Sequence, residues 1–264
     1  MNVQDRGVLV GMSLGDGYLN VRRRRTKDKY EYTSSEIRIV HSIVQYEYLL
    51  YKAKLLKKIF GGNAQVQVYE HKPPSMLGKS YKMCGLSKSH KYFSTLKGIL
   101  YEEGKKKITM QILNMLTPHG IAIWYMDDGH ARTNLNKDGW ITSCSTDIAT
   151  YCSEIEAGTI QEFFHKEYNV DFKVRRDTRL NETKQYYIQA NTKSSRDFIG
   201  IIKSYIIPTM LYKLKHVANL SLHECRAPKI GTCECGASVY DMRRKGLCDT
   251  CYSKWYYHTV HKYR

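Results

Sequence analysis

The sequence has no apolar run long enough to span a membrane, and it does not open on a secretion-signal pattern. Acidic residues are also few: 25 Asp and Glu stand against 42 Lys and Arg, which gives a formal charge of +17. A surplus of this size predicts a polyanionic partner, and nucleic acid is the commonest one. The arginines cluster at 22–25, which favours that interpretation over a merely soluble basic protein. We therefore expect no membrane partner and an intracellular, non-secreted protein of a bacterial or phage-infected cytoplasm or of an organelle.

Two kinds of chemistry are not supported by the residues present. Four of the eight cysteines fall between 233 and 251, which in a chain without a secretion signal predicts metal binding and not disulfides. No Ser-His-Asp or Cys-His arrangement is evident. The scattered histidines, such as His41, His119 and His165, are expected on the surface or in the core and not as ligands.

One pattern occurs twice. "LVGMSLGDG" at 9–17 and "IAIWYMDDG" at 121–129 are both apolar, helix-like stretches that end in Asp-Gly. A single Asp-Gly after a helix is an ordinary turn signal. Two copies in register with a longer repeated pattern favour a functional role instead.

The longer pattern is helix, two strands, helix, two strands, helix. In the first copy, Leu49, Ala53, Leu56 and Phe60 fall on one face of the middle helix, and in the second copy that helix is predicted to open at an Asp147 cap. The predicted fold class is α+β, with two pseudo-twofold-related αββαββα repeats and a small C-terminal segment. The predicted domains are 1–116, 117–218 and 219–264.

Pairing of the two motif helices would bring their ends together. Gly11 and Gly15 would permit close backbone approach, and Asp16 would then meet Asp128. Two carboxylates beside two helix C-termini form a strongly negative pocket, since the helix dipole is already negative there. Only a hard divalent cation would relieve such a pocket, and Mg²⁺ suits carboxylate, carbonyl and phosphate oxygens.

The hairpins alternate apolar and polar residues, which predicts sheets with one face on a core and one open face. Basic, amide and tyrosine side chains on the open face can hydrogen-bond base edges and phosphates. A one-residue slip of register would invert the assignment. The candidate contacts are Asn20, Arg22, Arg24, Arg38, Lys82, Lys173, Arg175, Tyr187, Gln189 and Asn191.

The two motifs, together with "IIPTMLYKL" at 206–214 and its degenerate counterpart "KKKIT", resemble those of the single-chain LAGLIDADG homing endonucleases. The resemblance covers residues 5 to 216. It implies a β saddle over double-stranded DNA, a monomer, and hydrolysis of both strands to leave 3′ overhangs. It also implies that Asp16 and Asp128, but not Asp127, bind catalytic Mg²⁺. The basic residues it implies near the site are Lys213 and Lys106, with Lys107 as the alternative to Lys106.

The C-terminal segment predicts a second metal. Cys233 and Cys235 precede a twelve-residue spacer and the pair Cys248 and Cys251, and four thiolates in two close pairs suit a structural Zn²⁺. The stretch resembles small zinc ribbons appended to phage and intron endonucleases. Cys225 and His223 are the substitutes if the tighter first pair is not used. The basic, aromatic "KWYYHTVHKYR" that follows either grips flanking DNA or packs on the core.

Three functions remain in view. A Mg²⁺-dependent DNA endonuclease is the leading hypothesis. An RNA maturase that binds its host intron is an alternative because the resemblance includes such members. A non-cleaving DNA-binding regulator on the same scaffold would be expected to lose Asp16 or Asp128, yet both are present.

Overall fold

The computed structural model describes residues 1–25, 30–71, 80–136, 140–178, 185–214, 217, 231–239, 247–248, 250–252 and 254–255. Side chains are described at all of these positions except 23–25, 30–33 and 238. Helices and antiparallel strands occur in the predicted repeated order, so the α+β fold class with two αββαββα repeats is confirmed. The division into domains at residues 116 and 218 stays a prediction.

The first repeat combines three helices with one four-stranded sheet. Its elements are α1 (Val3–Leu14), β1 (Tyr18–Arg25), β2 (Tyr30–Ser42), α2 (Tyr46–Phe60), β3 (Gln65–His71), β4 (Tyr81–Ser89) and α3 (Tyr92–Leu100). The strand order is β1-β2-β4-β3, and all neighbouring strands are antiparallel. The two hairpins of the repeat therefore join through β2 and β4.

The second repeat has the same order and follows a short connecting segment. That segment contains β5 (Tyr101–Glu102), β6 (Lys105–Lys106) and α4 (Met110–Leu113). The repeat itself consists of α5 (Pro118–Asp128), β7 (Gly129–Leu135), β8 (Ile141–Cys152), α6 (Glu154–Tyr168), β9 (Phe172–Arg176), β10 (Tyr186–Ala190) and α7 (Thr192–Ile202). Its antiparallel strands run in the order β7-β8-β10-β9, which matches the first sheet position for position.

Short elements follow the second repeat. Two 3₁₀ helices, Lys203–Tyr205 and Pro208–Lys213, follow α7 and lead back to the centre of the molecule. Further on, β11 (Gly231–Thr232) and β12 (Ser238–Val239) form a small antiparallel hairpin. Within the described ranges, no helix has the length and apolarity that a membrane crossing requires.

Helices α1 and α5 pack against each other at the centre of the fold. Every residue from 7 to 14 in α1 and from 120 to 126 in α5 is buried. A helix that is buried on all sides must be apolar all round, as both motif sequences are. The Asn2 side chain caps α1 and the Thr117 side chain caps α5 by accepting backbone N–H groups. The caps fix where each helix starts.

Each sheet buries one face, as the alternation predicts. Leu19, Ile37 and Ile39 are fully buried in the first sheet, and Ile148 and Ile188 are fully buried in the second. The remaining helices pack on these sheets through their own apolar residues, because α2 and α3 contact β4 and β1, and α6 and α7 contact β9 and β8. The predicted apolar face of α2 is confirmed, since its Leu49 and Leu56 positions are buried. The opposite sheet faces remain open.

One predicted boundary was wrong. Asp147 does not cap α6 but lies inside β8, where it pairs with Gln189 of β10. The helix begins later, after Ser153, whose side chain forms a reciprocal capping box with Glu156. Because β8 continues past Asp147, Ile148 pairs with Ile188 of β10 and both side chains are buried. A helix that started at Asp147 would lose this pairing. Asp147 therefore belongs to the open face of the second sheet.

Candidate active site and nucleic-acid interface

Glycines let α1 and α5 approach backbone to backbone. A Cβ added at Gly11 would lie closer than 3.0 Å to the Gly120 carbonyl group. At the end of α1, a Cβ at Gly15 would collide with the side chain of Asp127. The predicted close backbone approach is present at Gly11, whereas at Gly15 the space is filled by the Asp127 side chain. Both contacts draw the C-terminal ends of the two helices together.

Asp16 and Asp128 lie beside this contact. The backbone N–H of Asp16 donates a hydrogen bond to Oδ2 of Asp127 at 3.1 Å, across 111 positions of sequence. Asp128 follows directly, and its Oδ2 accepts a hydrogen bond from Nε1 of Trp124 at 3.2 Å. The structure therefore brings the ends of the two motifs side by side.

Both motif carboxyl groups have raised pKa values. Burial is the main cause at Asp16, and the negative charge of Asp127 adds to it. Burial, followed by the charges of Asp127 and Asp16, raises the pKa of Asp128 to about 7. The negative charge of Asp16 thus disfavours the ionised form of Asp128. Nearby lysines lower both pKa values but do not cancel the effect of burial.

Two of the predicted lysines bind equivalent carbonyl groups at the motif ends. Lys106 Nζ donates to the carbonyl of Gly15 at 2.7 Å, and Lys213 Nζ donates to the carbonyls of Asp127 and Gly129, each at 2.9 Å. Gly15 and Asp127 hold the same place in their motifs, so the two contacts are related by the pseudo-twofold repeat. Burial lowers the pKa of both lysines, and the nearby carboxylates oppose that shift.

Lys107, the alternative to Lys106, points to a different group. Its Nζ lies 3.6 Å from Oε1 of Glu102, and its backbone N–H bonds the carbonyl of Leu100. Lys106 is therefore the lysine of "KKKIT" that reaches the end of the first motif.

Two further residues, neither of them predicted as a site residue, lie at this centre. Lys52 Nζ is 2.6 Å from Oδ1 of Asp127, and both side chains are fully buried. His41 is a core residue, as expected, but its Nδ1 also lies 3.4 Å from Oδ2 of Asp16. Burial and the charge of Lys52 lower the pKa of His41 to about 4, so its imidazole is neutral near pH 7.

The sequence did contain a signal for both of these residues. Lys52 interrupts the apolar face of α2 between Leu49 and Leu56, and His41 continues the buried series of Ile37 and Ile39 in β2. A charged or polar residue in an apolar stripe is buried only when it has a partner. The other two histidines are unrelated to the centre: His119 stacks on Tyr205, and His165 pairs with Asp171.

The residues at the centre suit Mg²⁺. The carboxylate oxygens of Asp16 and Asp128 are the hard ligands that Mg²⁺ prefers. Three positive charges are already present at the centre, on Lys52, Lys106 and Lys213. The expectation that only a divalent cation can offset the negative charge of the carboxylates was therefore wrong. The pKa of Asp128 nevertheless stays raised to about 7, so these ammonium groups do not fully compensate the buried carboxylates.

Most of the predicted nucleic-acid contacts lie on the open sheet faces. Their neighbours along each strand, such as Leu19, Ile37 and Phe172, are buried, so these side chains leave the strands on the other side. The residues on the open faces are Asn20, Arg22, Arg38, Lys173, Arg175, Tyr187 and Gln189. The side chain of Arg24 lies outside the described residues.

Two predicted contacts are placed differently. Lys82 belongs to the same alternating series of β4 as Cys84 and Leu86, which are buried, so it leaves the strand on the core side. Asn191 follows the last residue of β10 and is the N-cap residue of α7. Its Oδ1 accepts a hydrogen bond from the backbone N–H of Ser194 at 3.0 Å. The register of β4 therefore turns Lys82 away from the open face, and the capping of α7 engages the Asn191 side chain.

Two carboxylates organise the open faces. In the first sheet, Oε1 of Glu36 lies 2.7 Å from the guanidinium of Arg38. In the second, Asp147 contacts the guanidinium of Arg132 at 2.8 Å and accepts from Nε2 of Gln189 at 2.9 Å. Neither acid was predicted on a sheet face. The alternation of Glu36 with Arg38 in β2 was a visible signal, whereas β8 contains no arginine and Asp147 resembled a helix cap. Glu36 thus pairs with Arg38 within β2, whereas Asp147 links β8 to its neighbours β7 and β10.

The four predicted zinc ligands form one cluster. One sulfur atom from each of Cys233, Cys235, Cys248 and Cys251 lies within 4.8 Å of all the others. The sulfurs of Cys235 and Cys248 are 3.6 Å apart. Zn–S bonds of about 2.3 Å in a tetrahedron require about 3.8 Å between sulfurs, whereas a disulfide requires about 2.05 Å. The backbone N–H groups of Cys235 and Cys248 lower the pKa of the Cys233 thiol to about 6, whereas hydrogen bonds with the Cys235 and Cys248 side chains raise the pKa of the Cys251 thiol to about 12, so the metal-free cluster keeps a proton there. The substitutes Cys225 and His223 lie outside the described residues.

The arrangement defines a class of protein in which two antiparallel sheets flank a central helix pair with carboxylates at its ends. A solved structure of the homing endonuclease I-WcaI bound to its DNA recognition sequence has this fold. The TM-score is 0.63 at 21% identity, and the match covers 81% of this chain and 86% of that one.

The chain belongs to the LAGLIDADG DNA endonuclease family, whose model matches residues 6–198. It is 24% identical over 220 residues to DNA endonuclease I-ChuI of Chlamydomonas applanata, a match that covers 80% of this chain and 94% of that protein. It is 24% identical over 211 residues to Protein RecA of Mycolicibacterium flavescens, covering 78% of this chain and 45% of that protein. It is 25% identical over 225 residues to cytochrome b mRNA maturase bI2 of Saccharomyces cerevisiae, a match that covers 81% of this chain and 48% of that protein. The chain thus spans about half the length of the RecA and maturase relatives.

Proposed function

We propose that this protein is a site-specific endonuclease that cuts both strands of a DNA duplex by Mg²⁺-dependent hydrolysis and leaves 3′ overhangs. The observation that carries the proposal is that the two motif ends lie side by side, where the Asp16 N–H binds Asp127 next to Asp128 and one lysine binds a carbonyl group of each motif. Membership of the LAGLIDADG DNA endonuclease family supports the reaction class, and the overhang polarity rests on the resemblance to homing endonucleases.

The residues of the centre have distinct roles in this proposal. Asp16 and Asp128 would hold Mg²⁺ through their carboxylates. When bound there, Mg²⁺ supplies Lewis-acid polarisation of a phosphate and a more acidic water. Lys106 and Lys213 would offset the negative charge that develops on the phosphoryl oxygens, because their ammonium groups are held at the motif ends by backbone carbonyls.

The open sheet faces would bind the duplex. The formal charge of +17 supports phosphate contacts, which supply most of the affinity of a non-specific complex. Bidentate side chains such as Arg175 and Gln189 are suited to reading base edges in the major groove. Because one chain carries both repeats, a monomer has two pseudo-equivalent halves with which to contact both DNA strands.

The C-terminal cluster would be a structural zinc site. Four cysteine sulfurs within 4.8 Å of one another could fill all four positions around Zn²⁺ and leave none for a substrate, which is typical of structural and not catalytic zinc. The hairpin of β11 and β12 is too short to form a core of its own, so a metal would hold the segment together.

A second candidate is assistance of RNA splicing, because one relative is named as an mRNA maturase. Host intron RNA would then be a partner in addition to DNA. Both functions predict nucleic-acid binding, but only the endonuclease predicts Mg²⁺-dependent cuts.

The proposal is tested by incubation of the protein with Mg²⁺ and a randomised duplex library, followed by sequencing of the cut ends. Wild type is expected to give one defined site with 3′ overhangs, while Asp16→Asn and Asp128→Asn bind the same duplex without cutting it. Binding by wild type without any cut would reject the endonuclease and favour the maturase.

A further inference from the structure

A buried cluster joins the two motifs on one side only. Lys52 Nζ lies 2.6 Å from Oδ1 of Asp127 and 3.1 Å from Nε2 of His41, and it sits over the ring of Tyr48 at 4.4 Å. Oδ2 of the same Asp127 carboxylate accepts the backbone N–H of Asp16. Lys52 is thus linked to Asp16 through two different residues. Asp127 accepts the Asp16 N–H, and the His41 ring lies beside the Asp16 carboxylate.

Lys52 also sets the tautomer of His41. An ammonium group has donors only, so Nε2 of His41 must accept from it and the ring proton must lie on Nδ1. Nδ1 faces Oδ2 of Asp16 at 3.4 Å. The side chain and the backbone of Asp16 are therefore both oriented by groups that Lys52 holds.

The second motif has no equivalent cluster within the described residues. Asp127 corresponds to Gly15 of the first motif, which has no side chain to pair. α2 and α6 each span fifteen residues, and the seventh residue is Lys52 in the first and Ile160 in the second. Ile160 is fully buried. The two halves therefore share the motif carboxylates and the carbonyl-bound lysines but differ at these positions.

The cluster does not favour another metal site. Asp16, His41 and Asp127 each offer a ligand atom within 4.8 Å of the others, a spacing that a metal ion could bridge. Lys52 Nζ already contacts two of these three residues at hydrogen-bond distance. A cation of the chain itself occupies the position beside Asp127.

We propose that Lys52 is a positioning residue that, through Asp127 and His41, holds Asp16 in place and makes the two halves of the active centre unequal. The inference rests on the proposed endonuclease function. Its consequence is that the two DNA strands depend on Lys52 to different extents. A residue that only stabilised the fold would affect both strands alike.

The test is strand-resolved, single-turnover cleavage of the protein's own target duplex, labelled differently on each strand, in Mg²⁺. We expect Lys52→Met to cut at least one strand about 10–100-fold more slowly, as misplaced catalytic groups do, and to change the ratio of the two strand rates about fivefold or more. The Kd for DNA should stay within about threefold, because Lys52 is buried away from solvent. Lys54→Met, on the exposed side of α2, is the matched control and should match wild type.

A second variant guards against misfolding. Removal of one member of a buried ion pair destabilises a protein, whereas removal of both charges is often tolerated. Lys52→Met/Asp127→Asn should therefore melt near the wild-type temperature and still show the altered strand ratio. A wild-type ratio in this folded double variant, or equal slowing of both strands, would overturn the positioning role while leaving the nuclease intact. Absence of any cutting by wild type would instead reject the proposed function, and the inference with it.

Discussion

Oδ2 of Asp127 accepts the backbone N–H of Asp16 at 3.1 Å, so the side chain that precedes one motif carboxylate fixes the backbone of the other. The contact exists because the matching position of the first motif is Gly15, which leaves room for the Asp127 side chain. The two motifs are thus complementary at this position and not identical. The predictions that follow depend on this meeting of the helix ends.

The helix contact itself can be tested by adding one methyl group. Gly11→Ala places a Cβ against the Gly120 carbonyl, where neither backbone can move independently, and should lower the free energy of unfolding by about 1–3 kcal/mol or more. Gly158→Ala is the control, because a Cβ there meets nothing within 4 Å. It should raise stability by about 0.5–1 kcal/mol, since alanine favours helix over glycine. Urea unfolding measures both, and equal effects would contradict the close approach.

Adjacent lysines should differ in their effect on cleavage. Lys106→Met removes the ammonium group bound to Gly15 and should slow single-turnover cleavage by about 100-fold, the scale of one lost transition-state donor. Lys107→Met removes only a surface pair with Glu102 and should leave the rate near wild type. If Lys107→Met were the slower variant, the assignment of Lys106 would be wrong.

Asp128 predicts an unusual pH dependence of stability in metal-free protein. Its pKa is about 7 in the folded chain, against the ordinary 3.8 of an aspartate side chain, so between these values the folded state binds the proton more tightly than the unfolded state does. The contribution of Asp128 is therefore present below pH 4 and is lost as pH rises toward 7. Asp128→Asn should raise the free energy of unfolding at pH 8 by on the order of 2 kcal/mol, allowing about 1.4 kcal/mol per pKa unit and partial screening.

The measurement is urea unfolding in EDTA at pH 5 and pH 8. The gain from Asp128→Asn should shrink at pH 5, and Asp197→Asn, an exposed acid on α7, should show no gain at either pH. A variant that is less stable than wild type at pH 8 would show that the carboxylate is better compensated than its burial indicates.

The cysteine cluster predicts a metal stoichiometry. Purified protein should carry one Zn²⁺ per chain, and Cys251→Ser should lose it, because a tetrahedral thiolate site needs all four ligands. Cys152→Ser, a cysteine of β8 outside the cluster, should retain it. Metal analysis gives the content, and limited proteolysis should cleave the C-terminal segment faster in Cys251→Ser. Full zinc content in that variant would exclude this ligand set.

Much of the fold follows from local patterns in the sequence. The two apolar motifs are buried on every side, and the alternation of Leu19 and Ile37 with polar neighbours gives the correct sheet face. Asp16 and Asp128 could be paired in advance because each ends a copy of one repeated unit. Such features depend on short spacings, which a single sequence displays directly.

The remainder depends on contacts between distant residues. The Lys52–Asp127 pair spans 75 positions, and no local spacing specifies it. Asp147 resembles a helix cap, yet pairing of β8 with β10 extends the strand past it. From sequence alone, Lys82 is predicted on the open face. Only the burial of Cys84 and Leu86 shows which side of β4 this series of residues faces, and it places Lys82 on the core side. In each case a tertiary contact decided between local alternatives.

The most direct test of the central claim is a crystal structure of the protein with its target DNA and Mn²⁺, in which anomalous scattering locates the metal. We expect Mn²⁺ to contact the carboxylates of both Asp16 and Asp128 beside the two scissile phosphates, and to be absent from that position in Asp16→Asn/Asp128→Asn. Bound DNA with Mn²⁺ at neither carboxylate would contradict a shared metal centre at the helix ends.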